Sequence, residues 1–152
     1  MGWTIPGGNL SKKKTIDVGV NVHVSTLLEL GEEASQLISG ARDGELVSYL
    51  NIPPGKMKLT LTYPLGTPAS MDFKVDDSTT VGDVLWIAAK FYEKVYDEED
   101  SWDTPSSPDE RTGLLNRERT SGPYGIWGHD IGDLWFEGIR IDGRKITLCM
   151  GS

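Results

Sequence analysis

Between Thr79 and Tyr96, the apolar residues Val81, Val84, Leu85, Ala88, Phe91, Tyr92 and Val95 recur at helical spacing, while Gly82, Asp83, Lys90, Glu93 and Lys94 fall on the other side. That pattern predicts an amphipathic helix, which needs a sheet to cover. The chain supplies strands on both sides of it. From Thr15, Ile16, Val18, Val20, Val22 and Val24 alternate with Asp17, Gly19, Asn21 and His23, the period-two signature of a half-buried strand. Leu27, Leu30, Ala34, Leu37, Ile38 and Ala41 then suggest a helix interrupted near Gly31, or two short helical pieces. Glu45 to Leu50 is an ambiguous apolar run, closed by the turn signal Asn51-Ile52-Pro53-Pro54-Gly55.

A second unit opens at Lys56. Met57, Leu59, Leu61 and Tyr63 alternate with polar residues, as do Ala69, Met71, Phe73 and Val75, and the turn between them predicts a β-hairpin with one apolar face. Thr80 and Asp83 form a weak capping box at the start of the long helix, and Asp76, Asp77 and Asp83 suit its positive end. Near the end, Asp142-Gly143 separates two β-rich runs, a strong hairpin signal because both turn positions tolerate positive φ. Tyr124 to Trp127 reads as one further short strand bent by glycines.

The expected order from Lys56 onward is hairpin, helix, insertion, short strand and terminal strand pair. It resembles the ubiquitin-like β-grasp fold. The residues carrying the resemblance are Lys58 to Leu61 and Asp72 to Val75 as the first hairpin, Asp77 to Val81 leading into the helix, and Leu134 to Ile139 with Lys145 to Leu148 as the closing strands. The expectation is therefore an α+β domain with a β-grasp-like mixed sheet over one central helix and an N-terminal β-α extension. Its divisions are a flexible lead-in at 1–14, a β-α segment at 15–55, and a core at 56–150 carrying a flexible acidic insertion at 97–122. The chain stops at Met150-Gly151-Ser152 without the Gly-Gly tail of ubiquitin-type modifiers, so the resemblance implies a binding module and not conjugation.

Composition narrows the function classes. The length of 152 residues suits one domain, and the single cysteine, Cys149, rules out an internal disulfide. With no apolar run of signal-peptide or membrane-spanning length, an intracellular and most simply cytoplasmic protein is expected. The net charge of −8 is concentrated: residues 97 to 110 hold seven acidic residues and no basic one. An acidic segment on a nearly neutral body disfavours nucleic acid as a partner, despite Lys12-Lys13-Lys14 and Arg111, Arg117 and Arg119.

The leading expectation is a non-enzymatic protein-interaction or adaptor module. It engages a protein partner through the acidic insertion or the sheet face, with Asp97, Glu98, Glu99, Asp100, Trp102 and Trp135 as binding residues. An alternative is a small hydrolase or ligand-binding enzyme centred on His129, Asp130 and Asp133, where histidine and carboxylates sit among glycines. A plainer reading has Asp130 or Asp133 capping a helical turn. A third alternative is a viral or assembly structural protein that self-associates through the edge of its N-terminal strand. No metal or cofactor is expected, because HxxxH, CxxC and phosphate-loop spacings are all missing. Tyr124, Trp127, Trp135 and Phe136 are read chiefly as core, with Trp127 and Phe136 covering Phe91 and Tyr92, and Trp135 outermost. Gly2 as an acylation site is set aside because Pro6 replaces the required hydroxyl residue, and Cys149 as a prenylation site because Gly151 is a poor fit and the cysteine lies in a closing strand.

Overall fold

A computed structural model describes residues 15–31, 53–102 and 119–152. The lysine triplet, the apolar run 45–50, Arg111 and Arg117 lie outside them. The elements are β1 (Thr15–His23), α1 (Val24–Leu30), β2 (Gly55–Leu61), β3 (Ala69–Val75), α2 (Val81–Trp102), a 3-10 turn (Ile131–Asp133), β4 (Trp135–Asp142) and β5 (Lys145–Gly151). Among the described residues they make an α+β fold, one five-stranded mixed sheet and two helices. The strand order is β1-β4-β5-β2-β3, with β2 and β5 parallel and the other neighbours antiparallel.

Register explains why one face of the sheet is apolar. Met71, Leu59, Ile146, Ile141 and Ile16 are successive partners across all the strands and form a row on the helix side. One residue further along each strand, Ser70, Thr60, Thr147, Arg140 and Asp17 make the matching row on the solvent side. Because side chains alternate between faces, this register puts one row in the core and the other in water. The outer row is knitted by Thr60 and Ser70, whose hydroxyls lie 2.9 Å apart, and by Arg140 donating to Asp17 at 2.8 Å. The edges of the sheet are β1 and β3. A register shift between Gly19 and Val22 bends the β1 edge.

Helix α2 lies on the apolar face, burying Val81, Val84, Leu85, Ala88, Ala89, Tyr92 and Val95 against Met57, Leu59, Leu61, Phe136, Ile139 and Ile146. Its start is fixed reciprocally: the Asp83 N–H donates to Thr80 Oγ1 and the Thr80 N–H to Asp83 Oδ2, each at 3.0 Å. Both the Thr80–Asp83 cap and the Asp142-Gly143 turn are therefore present as the sequence suggests.

α1 stops at Gly31, the break read from the sequence, where a φ of 63° is one that glycine adopts readily; Ala34 to Ala41 lie outside the described residues. Several expectations change. Val24 begins this helix instead of ending β1. α2 does not end at Tyr96 but continues to Trp102, so the first part of the acidic segment is helical; residues 103–118 lie outside the described residues. Tyr124 to Trp127 make one isolated bridge, Leu65 to Ile126, instead of a strand. The positive φ of Gly125 and Gly128, 60° and 76°, bends the backbone on either side of Ile126. Phe136 does pack on Tyr92, at 6.2 Å between ring centres, but Trp127 is 37% exposed and packs edge-on against Tyr63. Among the described residues no helix is long and apolar enough to cross a membrane.

Candidate functional site

The acidic residues singled out from the sequence sit on the last turns of α2, and helical geometry sends them in different directions. Glu99 follows Val95 by four residues and Tyr92 by seven, so it continues the buried stripe. It is fully buried. Its carboxylate accepts the hydroxyl of Thr120 and the backbone N–H groups of Gly122 at 3.0 Å, Tyr124 at 2.9 Å and Gly125 at 3.0 Å. Burial alone would raise the Glu99 pKa. The donors from Thr120, Tyr124, Ile126 and Gly122 outweigh it and hold the carboxyl below the usual glutamate range. Glu99 is thus a structural anchor for the 120–126 bend, its carboxylate turned into the fold and away from solvent. The extension of the apolar stripe to position 99 was the sequence signal for this, obscured by its acidic neighbours.

Glu98 is half-buried, accepts the Tyr124 hydroxyl at 2.9 Å and stands 4.0 Å from Lys94. Asp97 is exposed, Asp100 is half-buried, and Trp102 is 75% exposed at the helix end. Trp135 lies elsewhere, at the start of β4, where its ring meets that of His23 at 3.9 Å. The structure therefore does not gather the expected binding residues into one patch.

The bend anchored by Glu99 also zips onto the β2–β3 turn. The Gly66 N–H meets the Tyr124 carbonyl at 2.9 Å, and the Trp127 N–H meets the Pro64 carbonyl at 3.1 Å. Tyr92 and Tyr96 reach from α2 to the carbonyls of Tyr63 and His129, at 2.6 and 2.7 Å. This brings Tyr63, His129, Asp133 and Ser152 together. Ser152 Oγ lies 2.9 Å from the Tyr63 hydroxyl and 3.1 Å from His129 Nε2. His129 Nδ1 stands 3.7 Å from Asp133, beyond hydrogen-bond reach. Asp130 and Asp133 form a capping box around the 3-10 turn, with the Asp130 N–H donating to Asp133 at 2.9 Å. Tyr63 and Ser152 are the members of this cluster that sequence reading missed, because 89 residues separate them. Among the described residues no group of three or more His, Cys, Asp or Glu is placed to hold a metal ion.

A groove of about 580 Å³ opens on another side, between β3 and the outward flank of α2. Met71, Trp86, Ile87 and Phe91 give it an apolar lining, and Lys90, Glu93, Lys94, Asp97 and Glu98 supply charge. These aromatic and aliphatic groups are only partly buried, although they pack against the core. Lys90 is paired with Glu93 at 2.8 Å and Lys94 approaches Glu98, while among the described residues the exposed carboxylate of Asp97 makes no ion pair. Two of the expected binding residues, Asp97 and Glu98, thus belong to the groove, and its helix floor comes from Phe91, which periodicity assigns to the core, and from Trp86 and Ile87, which it assigns to neither face. Compared with known protein families, with curated proteins and with solved structures, the chain finds no match.

Proposed function

We propose that this chain is a non-enzymatic protein-interaction module of ubiquitin-like, β-grasp type, and that its partner surface is the groove between β3 and α2. The β-grasp assignment is supported by the order of elements: a hairpin, a long helix lying on the sheet, then two strands of which the last runs parallel to the first strand of the hairpin. The observation that carries the function is the groove itself, an open apolar volume of about 580 Å³ bordered by unevenly paired charge. Apolar surface with a polar rim is the usual anatomy of a recognition site. Cytoplasmic placement belongs to the same proposal.

The test is site-specific photo-crosslinking in cells that express the protein, with a photoreactive side chain at Phe91 in one variant and at Lys58, on the solvent face of the sheet, in another. Crosslinks to a discrete protein from position 91 and not from position 58 support the reading. Equal background from both positions removes it.

A second reading has a specific observation behind it, the contact of Ser152 Oγ with His129 Nε2 at 3.1 Å. Such a contact is the first link of a hydrolase relay. The second link is missing, because Asp133 stands 3.7 Å from Nδ1 and is engaged with the Asp130 N–H. Labelling of Ser152 by a fluorophosphonate, abolished by His129→Ala in a folded protein, would place this reading first; an unlabelled Ser152 disposes of it.

A further inference from the structure

From the geometry of the groove, and resting on the reading of it as a partner site, we infer that its occupant is an extended segment of another protein. The segment adds as a strand to the free edge of β3, carries apolar side chains at alternate positions, and places a lysine or arginine beside Asp97. The edge is the first reason. Among the described residues β3 pairs with β2 on one side only, so half of its backbone N–H and C=O groups face outward with no described strand beside them. A strand added there lies about 4.8 Å beyond β3, and every second side chain points to the helix side. On that side Met71, Trp86, Ile87 and Phe91 line the groove. Main-chain pairing and alternate-side-chain pockets are the two parts of strand-addition recognition.

Length agrees with this. The groove runs along α2 from Trp86 to Glu98, and twelve residues of helix span roughly 18 Å. An extended chain covers that distance in about five or six residues, which puts roughly three side chains into the groove.

Polar chemistry narrows the occupant. The indole N–H of Trp86 is buried and meets no acceptor. An unpaired buried donor is unfavourable, and a small rotation of the ring would offer it to a carbonyl of the arriving segment. Once Lys90 is matched with Glu93 and Lys94 with Glu98, Asp97 remains as the unpaired charge of the rim. The chain as a whole carries −8, so approach of a basic segment is also favoured at long range.

The test is selection of a displayed library of random dodecapeptides on the immobilised full chain, followed by solution affinities for the enriched peptides. The expected result is enrichment of sequences that alternate apolar and polar residues with lysine or arginine, and protection of β3 amides from hydrogen exchange on binding. Ile87→Glu should weaken these peptides at least tenfold. Asp97→Lys, at an exposed position where folding is not at stake, should weaken them about two- to fivefold at low salt, an effect that fades as salt rises. Absence of any enrichment overturns the inference, as do acidic consensus sequences. Peptides that bind as helices, with anchors three and four residues apart and no β3 protection, also overturn it but leave the groove as a partner site. Binding unaffected by Ile87→Glu and mapped elsewhere removes both.

Discussion

The backbone N–H of Gly122 donates to the carboxylate of Glu99 at 3.0 Å across 23 residues of sequence. With Thr120, Tyr124 and Gly125 donating to the same group, one buried side chain holds the bend that closes over the β2–β3 turn. Replacing Glu99 with Gln keeps the volume but turns an N–H₂ group toward backbone donors. Hydrogen bonds to a charged acceptor contribute about 1.5–3 kcal/mol each, and orphaned donors cost more than the bond they lose. Glu99→Gln should therefore lower the unfolding free energy by about 2–4 kcal/mol in urea denaturation. A change below about 0.5 kcal/mol would show that the bend is held by other contacts.

Acid should act through the same carboxylate. Its folded pKa lies below its unfolded value, so its contribution to stability is complete above the ordinary glutamate pKa of about 4.3 and is lost as pH falls through the lower folded value. Between those limits the amide signals of Gly122, Tyr124 and Gly125 should shift before the sheet unfolds. The early transition should be missing in Glu99→Gln. Its persistence there would assign the event to another group.

Two glycines separate steric from conformational effects. A Cβ on Gly122 would lie 2.5 Å from Glu99 Oε1, whereas one on Gly132 meets nothing within 4 Å. Gly122→Ala should destabilise by about 1–3 kcal/mol because the carboxylate must leave its donors. Gly132→Ala should stay within about 0.5 kcal/mol of the parent. Equal effects in thermal melts would contradict the packing described for the bend.

The hydroxyl of Tyr92, in the fully buried stripe of α2, donates to the Tyr63 carbonyl at 2.6 Å. Burial, with a smaller contribution from Tyr63, pushes its ionisation well above that of free tyrosine. Tyr92→Phe leaves the ring packed on Phe136 but orphans that carbonyl, and should cost about 1–2 kcal/mol. In the folded parent protein the Tyr92 phenol should show no spectroscopic titration up to about pH 11. Titration near pH 10 would mean that the ring is accessible to water.

The five strands of the sheet and the start of α2 were legible in the sequence because they depend on local periodicity and local turn chemistry. Ile16 to Val22, Met57 to Leu61 and Ala69 to Val75 alternate, and Asp142-Gly143 specifies its own turn whatever packs around it. The same rules sent Trp127 to the core and Asp97 to Trp102 to a flexible segment, whereas Trp127 is partly exposed and 97–102 belong to α2, and both differences have one reason. Whether Glu99 is solvated depends on donors that arrive from Thr120 to Ile126, and whether Trp127 is covered depends on how that bend meets Tyr63. Neither is encoded within a few residues of the position concerned. The His129 cluster was half legible, since Asp130 and Asp133 do cap a turn, but Ser152 and Tyr63 reach it only through the fold.

The sequence by itself determined an apolar-faced mixed sheet under a long amphipathic helix, because period two and period 3.6 are properties of the backbone that each segment carries alone. Tertiary structure decided which acidic residue is buried and which face water. It also decided that Met71 and Phe91, read from their spacing as core, line a groove at the sheet edge. α2 lies across a sheet of finite width, and side chains beyond the last strand have no further strand to cover them.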